Sequence, residues 1–432
     1  MSATPEPPPP PVGDIVRRPP FGDNPTVGVR GTDTRRRVLE AALEVFEEHA
    51  YSEARVELIT ERAGCSRPAF YQYFSSKDDV FWALATELGQ EMVALAKRLG
   101  TVSADAEGLE RLTVWVGEFM TLHEQWAPVF ASFPAATRVD GRRMRGAESI
   151  AGSTARALLR GFGLRRTPGR ERLAITLDSA LIRCSFFAEA APAAMRREPL
   201  EVGLARVFHR VLAEPIEGVN LRRSQRATSA KRRKVRLEVT PARPSDATSS
   251  RGERTRGRLL DAGAEVLPAR GYHDARVDDI VEAAGVSHGT FYRYFDSKDA
   301  FFMVLAERAS ARMIELVGRL DLMASPDELR AWLGLWFDAY EADGGIISTW
   351  QEMRTSPELR AFSQQVAAAV FTHLEHQLDR RDFGNSQVDA SILLAVIERA
   401  PYNVVRLGFT GRPDAIEAVV AIVRRGLLGL TD

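Results

Sequence analysis

Two short stretches of the chain carry basic and hydrogen-bonding side chains directly after a tight-turn signature. Gly64-Cys65-Ser66 and Gly285-Val286-Ser287 each combine a residue that tolerates positive φ, an apolar plug and a serine able to cap the next helix. Guanidinium, imidazole, amide and hydroxyl groups follow, including Arg67 and Gln72 in the first stretch and His288 and Arg293 in the second. Such groups on one helical stripe can hydrogen-bond to base edges and phosphates, which indicates nucleic-acid recognition.

Bond-making chemistry has no comparable pattern in this sequence. No His, Ser, Asp, Glu or Cys residues stand at catalytic spacing, so we predict that the protein is not an enzyme. The 2 cysteines, Cys65 and Cys184, supply neither a disulfide framework nor a cysteine metal site, and we expect no metal and no cofactor. Val286 takes the place of Cys65 in the second stretch, which favours a buried plug over a redox sensor. The formal net charge is zero, so the case for DNA rests on where individual basic residues stand.

The two stretches belong to a longer internal repeat. Residues 34–85 align without a gap with residues 255–306, an offset of 221, and roughly half of the positions are identical. An ungapped match of this length means that one structural unit is used twice.

Each copy divides into short helices that would position the two stretches. Leu39, Ala42, Leu43 and Phe46 follow a 3.6-residue period, which predicts a first helix that ends near residue 50. A second helix is predicted at about 56–63 and 277–284, and a third at about 67–73 and 288–294. A fourth helix is predicted to open at residues 76 and 297, each a serine.

The segment from Gly285 to Lys298, and in a slightly looser form the segment from Gly64 to Lys77, resembles the recognition-helix signature of TetR-type repressors. The resemblance implies an all-α fold with two tandem copies of an N-terminal three-helix helix-turn-helix domain, each followed by a helical ligand-binding and dimerisation bundle. Arg55 and Arg276 depart from the family, which usually begins the second helix with Thr or Ser. A guanidinium there could bind phosphate instead.

The resemblance also implies which side chains meet DNA. In the first copy they are Arg67, Pro68, Ala69, Tyr71, Gln72, Tyr73 and, on phosphate, Lys77. In the second copy they are His288, Gly289, Thr290, Tyr292, Arg293, Tyr294 and, on phosphate, Lys298. Arg55 and Arg276 are added to the predicted DNA contacts on the chemistry of their guanidinium groups. The first copy is acidic through Glu44, Glu47, Glu48, Glu53, Glu57 and Glu61, which leaves open that it serves as a structural partner without strong DNA affinity.

Aromatic side chains near helical spacing follow each copy. They are Trp115, Phe119 and Trp126 in the first half, and Trp332, Trp336, Tyr340 and the more distant Trp350 in the second. Such stripes fit either a plain helical core or, as the resemblance implies, the wall of a cavity for a small, often apolar effector. The last helices of each half, at about 173–190 with 202–212 and 388–409 with 415–428, are predicted to supply the dimerisation surface.

Composition predicts six segments along the chain. They are a disordered Pro-rich arm (1–31), a first helix-turn-helix domain (32–87), a first helical regulatory domain (88–215), a basic flexible linker (216–250), a second helix-turn-helix domain (251–308) and a second helical regulatory domain (309–432). The basic run at 231–234 fits either a solvated linker or a nonspecific DNA tether. No apolar run reaches the roughly 18 residues of a membrane span and no secretory signal is present, so we expect no membrane partner and a cytoplasmic, nucleoid-associated protein.

These features together predict an effector-responsive repressor that binds a double-stranded DNA operator. Two TetR-like protomers would be fused into one chain as an intramolecular pseudo-dimer, and the effector would be a small molecule that the sequence does not identify. Two alternatives stay open. One is a small-molecule-binding helical protein with one or both DNA-binding units inactive. The other is a chain that forms a further homodimer with four helix-turn-helix units.

Overall fold

The computed structural model describes residues 29–136, 144–190, 197–213, 250–272, 274–352, 357–379 and 384–430. None of these residues forms a strand, and helices with their connecting turns account for the described chain, which confirms the all-α fold. The chain divides into two compact units. The first unit comprises the residues up to Leu84, except residues 50–52. The second unit comprises residues 50–52 and the residues after Leu84.

The helices are numbered in chain order. Before residue 214 they are α1 (Val29–Glu48), α2 (Val56–Arg62), α3 (Arg67–Tyr73), α4 (Lys77–Arg98), α5 (Ala106–Gln125), α6 (Ala127–Ala136), α7 (Met144–Gly161), α8 (Pro168–Ala190) and α9 (Arg197–Leu212). From residue 250 they are α10 (Ser250–Arg270), α11 (Val277–Ala284), α12 (His288–Tyr292), α13 (Lys298–Gly318), α14 (Pro326–Glu352), α15 (Pro357–Leu378), α16 (Ser386–Val405) and α17 (Arg412–Ala421), which continues as a π-helical turn (Ile422–Leu427). All helices predicted within the repeat are present, although α12 ends two residues before its predicted end.

Both tight turns adopt the predicted backbone. Gly64 and Gly285 have φ angles of 60° and 61°, a conformation that costs glycine little and other residues more. The next N–H in each copy reaches back across the turn, since Cys65 N donates to Thr60 O and Val286 N to Val281 O, both at 3.0 Å. This bond ends the second helix and starts the turn into the third. Cys65 is half-buried and burial raises the pKa of its thiol, in keeping with a plug.

Serine caps open most of the helices predicted to have them. Ser66 Oγ accepts the N–H of Ala69 (3.3 Å) at the start of α3, and Ser297 Oγ accepts that of Ala300 (3.0 Å) at the start of α13. Ser287 differs, because its side chain makes no capping bond to the backbone of α12. The first turn of α12 therefore lacks a bond that α3 has, in agreement with its shorter length.

The second helix-turn-helix shares its apolar core with the helices that follow it. Phe291, Phe295 and Phe301 lie in one buried cluster that also contains Ile346 of α14 and Phe362 of α15. Because these side chains are packed in one core, a shift of α14 or α15 would also displace side chains of α12. The structure thus provides a direct contact between the second helix-turn-helix unit and helices α14 and α15.

The last helices of the two halves pack against each other, and their role as a dimerisation surface stays a prediction. Helices α8 and α9 contact α16, α17 and the π-helical turn. Small residues allow the close approach: a Cβ at Gly203 would clash with Val388, and one at Gly426 would press on Val207 and Val211. Close-packed glycines of this kind fix how two helices can sit.

Polar contacts cross the same helix interface. Arg206 of α9 pairs with Asp389 of α16, whose side chain is fully buried. Asn403 Nδ2 of α16 donates to Ser179 Oγ of α8 (2.9 Å), and this pair is buried too. A buried carboxylate that lost its guanidinium would be strongly destabilising, so these contacts favour one arrangement of α8, α9 and α16.

The predicted arm and linker fall largely outside the described residues. Within the described part, α1 begins at Val29 and so includes the last three residues that were assigned to the arm, and α10 begins at Ser250, the last residue assigned to the linker. Among the described helices, none combines the length and apolar character needed to cross a membrane. The six-segment division of the chain stays a prediction.

Candidate nucleic-acid interface and inter-half cavity

One face of each third helix is exposed while the opposite face is anchored in the core. Phe70 and Phe291 are fully buried, whereas the adjacent Tyr71 and Tyr292 are 45% and 49% exposed. Arg67, Pro68, Gln72, His288, Gly289 and Arg293 are exposed as well, and Ala69, Tyr73, Thr290 and Tyr294 are half-buried. Every side chain predicted to meet DNA from these helices is therefore accessible at least in part, and its contact with DNA stays a prediction.

An acidic residue of the second helix holds the first residue of the third helix in both copies. Arg67 Nη2 lies 2.7 Å from Glu57 Oε1, and His288 Nε2 lies 3.3 Å from Asp278 Oδ1. Glu57 and Asp278 occupy equivalent positions in the repeat. DNA phosphate or a base edge would have to compete with these carboxylates for the same donors.

Lys77 and Lys298 anchor the turn before the second helix. Lys77 Nζ donates to Ala54 O (3.0 Å), and Lys298 Nζ donates to Ala275 O (3.0 Å) and to Tyr272 O (2.8 Å). Burial lowers the pKa of Lys298, whose ammonium also lies 4.3 Å from the centre of the Tyr272 ring. The lysines predicted to bind phosphate thus have a structural task that the sequence did not reveal.

Arg55 and Arg276 stand immediately before α2 and α11, and both are exposed. Neither side chain caps its helix, because a guanidinium has no acceptor. In the second copy Asp279 compensates, since its carboxylate accepts the N–H of Arg276 (2.8 Å) and also pairs with Arg270 (2.8 Å). The helix start is secured without the Arg276 side chain, which is compatible with its predicted phosphate contact.

Two arginines of the first helix support the turn and were missed by the sequence analysis. Arg37 donates to Ala63 O (3.4 Å), and Arg258 donates to Ala284 O and to Gly285 O (3.1 Å). These bonds satisfy carbonyls at the C-terminal ends of α2 and α11, where backbone oxygens lack a partner within the helix. The sequence could have indicated this role, because Arg37 and Arg258 stand at matching positions of the internal repeat.

The aromatic residues predicted as a possible effector wall lie mainly in helical cores. Trp115, Phe119, Trp332, Trp336 and Tyr340 are all at most 8% exposed, and Trp126 is half-buried. The indole N–H groups of Trp115, Trp332 and Trp336 donate to the backbone oxygens of Leu95, Leu316 and Ile397 at 2.8–3.0 Å. The side chain of Trp350 is outside the described part. None of the six described aromatics lines the cavity described next, and their effector role stays a prediction.

A cavity of about 370 Å³ lies where α8 meets α16. We call it the inter-half cavity, because its wall combines residues on either side of the linker. From the first half come Ala85, Leu88, Gly89 and Met92 of α4, Val129, Phe130, Ala131, Phe133 and Pro134 of α6, Ile150 and Ala151 of α7, and Asp178, Ser179, Ile182, Arg183 and Phe186 of α8. From the second half come Arg399, Tyr402, Leu407 and Phe409. The volume and the mostly apolar wall suit a small organic ligand.

The polar groups of the inter-half cavity are unevenly satisfied. Arg183 Nε pairs with Glu398 Oε2 at 2.7 Å. Arg399 has a buried Nε without a hydrogen-bond partner among the described residues, and its guanidinium stacks 4.3 Å from the centre of the Tyr402 ring. Asp178 is 3% exposed, its Oδ1 has no hydrogen-bond partner in the described structure, and burial raises its pKa to about 7.

The fold and the exposed third helices define a tandem helix-turn-helix protein. Residues 38–84 and 259–304 each match the sequence model of bacterial regulatory proteins of the tetR family. The chain is 42% identical over 189 residues to the uncharacterized HTH-type transcriptional regulator YdgC of Bacillus subtilis, covering 41% of this chain and 95% of that protein. The chain belongs to the tetR family, and it is a DNA-binding transcriptional regulator rather than an enzyme.

The chain is also similar to two further proteins. The HTH-type transcriptional repressor Rv1474c of Mycobacterium tuberculosis is 29% identical over 150 residues, 35% of this chain and 74% of that protein. The crystal structure of the transcriptional regulator FadR from Bacillus subtilis in complex with stearoyl-CoA is similar at 20% identity, with a TM-score of 0.34, over 40% of this chain and 99% of that one.

Proposed function

We propose that this protein is an effector-released repressor whose two helix-turn-helix units bind one operator as an intramolecular pseudo-dimer. The observation that carries the proposal is the packing of α8 and α9 on α16, α17 and the π-helical turn. Family members normally use the corresponding helices to join two chains. When one chain joins its own halves in this way, the surface is already occupied and a second chain cannot dock there.

The character of this interface supports a permanent association. Gly203 and Gly426 let the helices approach closely, and the Arg206–Asp389 pair is largely buried between them. A charge pair with this little exposure needs its partner in place at all times, because an unpaired buried carboxylate is strongly unfavourable. The halves would therefore stay together in the DNA-bound and released states alike.

The two third helices present different groups to DNA. Arg67 and Gln72 in α3 correspond to His288 and Arg293 in the second unit. A homodimer presents two identical helices and selects a palindrome, whereas unlike helices read unlike half-sites. The operator of the pseudo-dimer would be non-palindromic, and the protein would work in the cytoplasm on nucleoid DNA.

Effector control would run through the inter-half cavity. Residues 85–92 of α4 line the cavity, and α4 starts at Lys77, shortly after the recognition helix α3. A ligand that fits one position of α4 better than another would change the DNA affinity, by as much as its own affinity differs between the two states. The proposal thus joins the cavity to DNA release by reciprocal linkage.

A second candidate is a regulator in which the first helix-turn-helix is a silent structural partner. The Arg67–Glu57 ion pair favours it, because the most basic group of α3 is already engaged by a carboxylate. Arg62 balances part of the local acidity through Glu44 (2.9 Å) and Glu48 (2.6 Å). Such a protein would still bind DNA through its second unit, at a single half-site.

Selection of bound sites from random DNA, together with the mass of the full chain in solution, tests these readings. The pseudo-dimer predicts a monomeric chain bound to one site with two unlike halves spaced by about one helical turn. Perfectly palindromic sites, or a dimeric chain at working concentrations, would contradict the pseudo-dimer. Sites with only one conserved half would support the silent first unit.

A further inference from the structure

The charged groups of the inter-half cavity do not balance. Arg183 pairs with Glu398, whose charge also acts on the adjacent Arg399, and Arg399 has neither a salt bridge nor a hydrogen bond to the described residues. Asp178 is the remaining charged group in the wall, and its burial raises the pKa of the carboxyl and so favours the neutral form. With Asp178 protonated, the cavity keeps one uncompensated positive charge.

We propose that the inter-half cavity binds an amphipathic anion, with its anionic group on Arg399 and its apolar body between α4, α6 and α8. This inference rests on the proposed effector control and names the chemical class of the effector. A guanidinium that is partly desolvated and lacks an anionic partner gains most from a ligand carboxylate, because such charge-assisted bonds are short and strong.

The geometry of Arg399 suits this role. Its guanidinium stacks on the Tyr402 ring, which fixes the plane of the group while its N–H edge stays available. Tyr402 is itself buried and belongs to the cavity wall. Arginine on a rigid aromatic platform is well ordered before a ligand arrives, so little side-chain entropy is lost on binding.

The remaining wall fits the apolar part of the ligand. Met92, Phe130, Phe133, Ile182 and Phe186 contribute aliphatic and aromatic surface from three helices. Burial of an alkyl chain against such surface contributes roughly 0.8 kcal/mol per methylene. A ligand that is only polar would leave this surface unfilled, and a ligand that is only apolar would leave Arg399 without an anion.

Asp178 adds a second recognition element at the α8 wall. Its orphaned carboxyl oxygen can bond a hydroxyl or amide of the ligand, and the protonated carboxyl can also donate. The charged groups that face the cavity are Asp178, Arg183 with its partner Glu398, and Arg399. Ionisation of Asp178 would therefore oppose an anionic ligand, and binding should weaken as the pH rises from 6 to 8.

Three probes of one chain length test the assignment on the full-length protein: decanoate, decan-1-ol and decylamine. Calorimetry and thermal shift should show the tightest binding for decanoate. Arg399→Gln should weaken decanoate binding at least tenfold and leave decan-1-ol binding within twofold. Arg406→Gln is the matched control, because Arg406 is an exposed arginine at the end of the same helix and does not line the cavity. Asp178→Asn should remove the loss of decanoate affinity between pH 6 and pH 8.

Several results would overturn the assignment. These are equal affinity for decanoate and decan-1-ol, preference for decylamine, no binding of any probe, or unchanged decanoate binding in an Arg399→Gln protein with a normal melting temperature. If Arg399→Gln fails to fold, Arg399→Lys replaces it and should keep part of the decanoate affinity through its charge. Decanoate that binds as proposed without weakening operator binding would contradict the effector control and leave the ligand class intact.

Discussion

Arg67 at the start of the first recognition helix is held by Glu57 of the preceding helix, with 2.7 Å between Nη2 and Oε1. His288 and Asp278 repeat this contact in the second copy at 3.3 Å. Both pairs are solvent-exposed, so each contributes at most about 1 kcal/mol and can be exchanged for a contact with DNA. We therefore expect the acidic partner to lower the affinity of the proposed DNA contact without preventing that contact.

Glu57→Gln should increase the affinity of the protein for its operator by up to about fivefold, because Arg67 no longer has to leave a carboxylate. Gel shifts at two salt concentrations measure this effect. Glu61→Gln is the control, since it removes an equal charge from an exposed position of the same helix. If both variants gain equally, general charge explains the effect, and if neither gains, the first unit does not contact DNA.

Lys298→Ala should weaken binding about equally on all DNA sequences and reduce the salt slope by roughly one, as expected for one lost phosphate contact. The same variant should unfold more easily by roughly 1–3 kcal/mol, because the carbonyls of Tyr272 and Ala275 lose a charged donor. Salt-dependent gel shifts and urea unfolding separate the two effects. A lower stability with an unchanged salt slope would show that the ammonium only anchors the turn.

Tyr71→Ala and Tyr292→Ala should each impair recognition of a different half of the operator. Both rings are about half exposed beside a buried phenylalanine, so their truncation removes surface without opening the core. Footprints of each variant on the selected site measure the loss half by half. Full binding in Tyr71→Ala, with binding abolished in Tyr292→Ala, would identify the first unit as a silent partner.

Arg206→Met should destabilise the regulatory helices by about 3–5 kcal/mol, because Asp389 would be left as a buried unpaired carboxylate. Arg206→Met combined with Asp389→Leu should recover most of the loss. Arg330→Met is the matched control: Arg330 pairs with Glu417 at 2.7 Å at an exposed site, and such a pair contributes less than about 1 kcal/mol. Urea unfolding followed by tryptophan fluorescence provides the measurement. Equal losses at the two sites would contradict a specific role of the buried pair in joining the halves.

Asp178→Asn should stabilise the protein above pH 7 and have little effect near pH 4. Burial raises the pKa of Asp178 to about 7 from the usual 3.8, so the folded state holds a proton that the unfolded state releases earlier. Wild-type stability should therefore fall as the pH rises from about 4 to 7, by at most about 4 kcal/mol, and the variant should lack this loss. Unfolding midpoints at pH 5 and pH 8 test this, with the exposed Asp296→Asn as control. A stability difference that does not depend on pH would show that Asp178 is ionised throughout.

Local features of the helix-turn-helix units were predictable because they depend on neighbours in sequence. Gly64 and Gly285 mark the turns since only glycine adopts φ near 60° at low cost, and Ser66 and Ser297 cap helices from one residue before them. The buried Phe70 followed from its spacing in the third helix. Because of the internal repeat, each feature predicted for one copy was also predicted for the other copy.

The sequence alone thus determined the all-α fold, the two helix-turn-helix units and the exposed stripe of each third helix, because periodicity, caps and turns act over a few residues. Only the tertiary structure decided that Lys298 holds two carbonyls and that Glu57 holds Arg67, since side chains separated along the chain meet only after folding. The inter-half cavity shows the same limit most clearly. Asp178 and Arg399 come from helices on opposite sides of the linker, and both line the cavity. Trp115 and Trp336 have the spacing expected of a pocket wall, but they are buried in the core and donate hydrogen bonds to backbone carbonyls. No local pattern encodes which buried polar groups remain without a partner, because that depends on how all the helices pack.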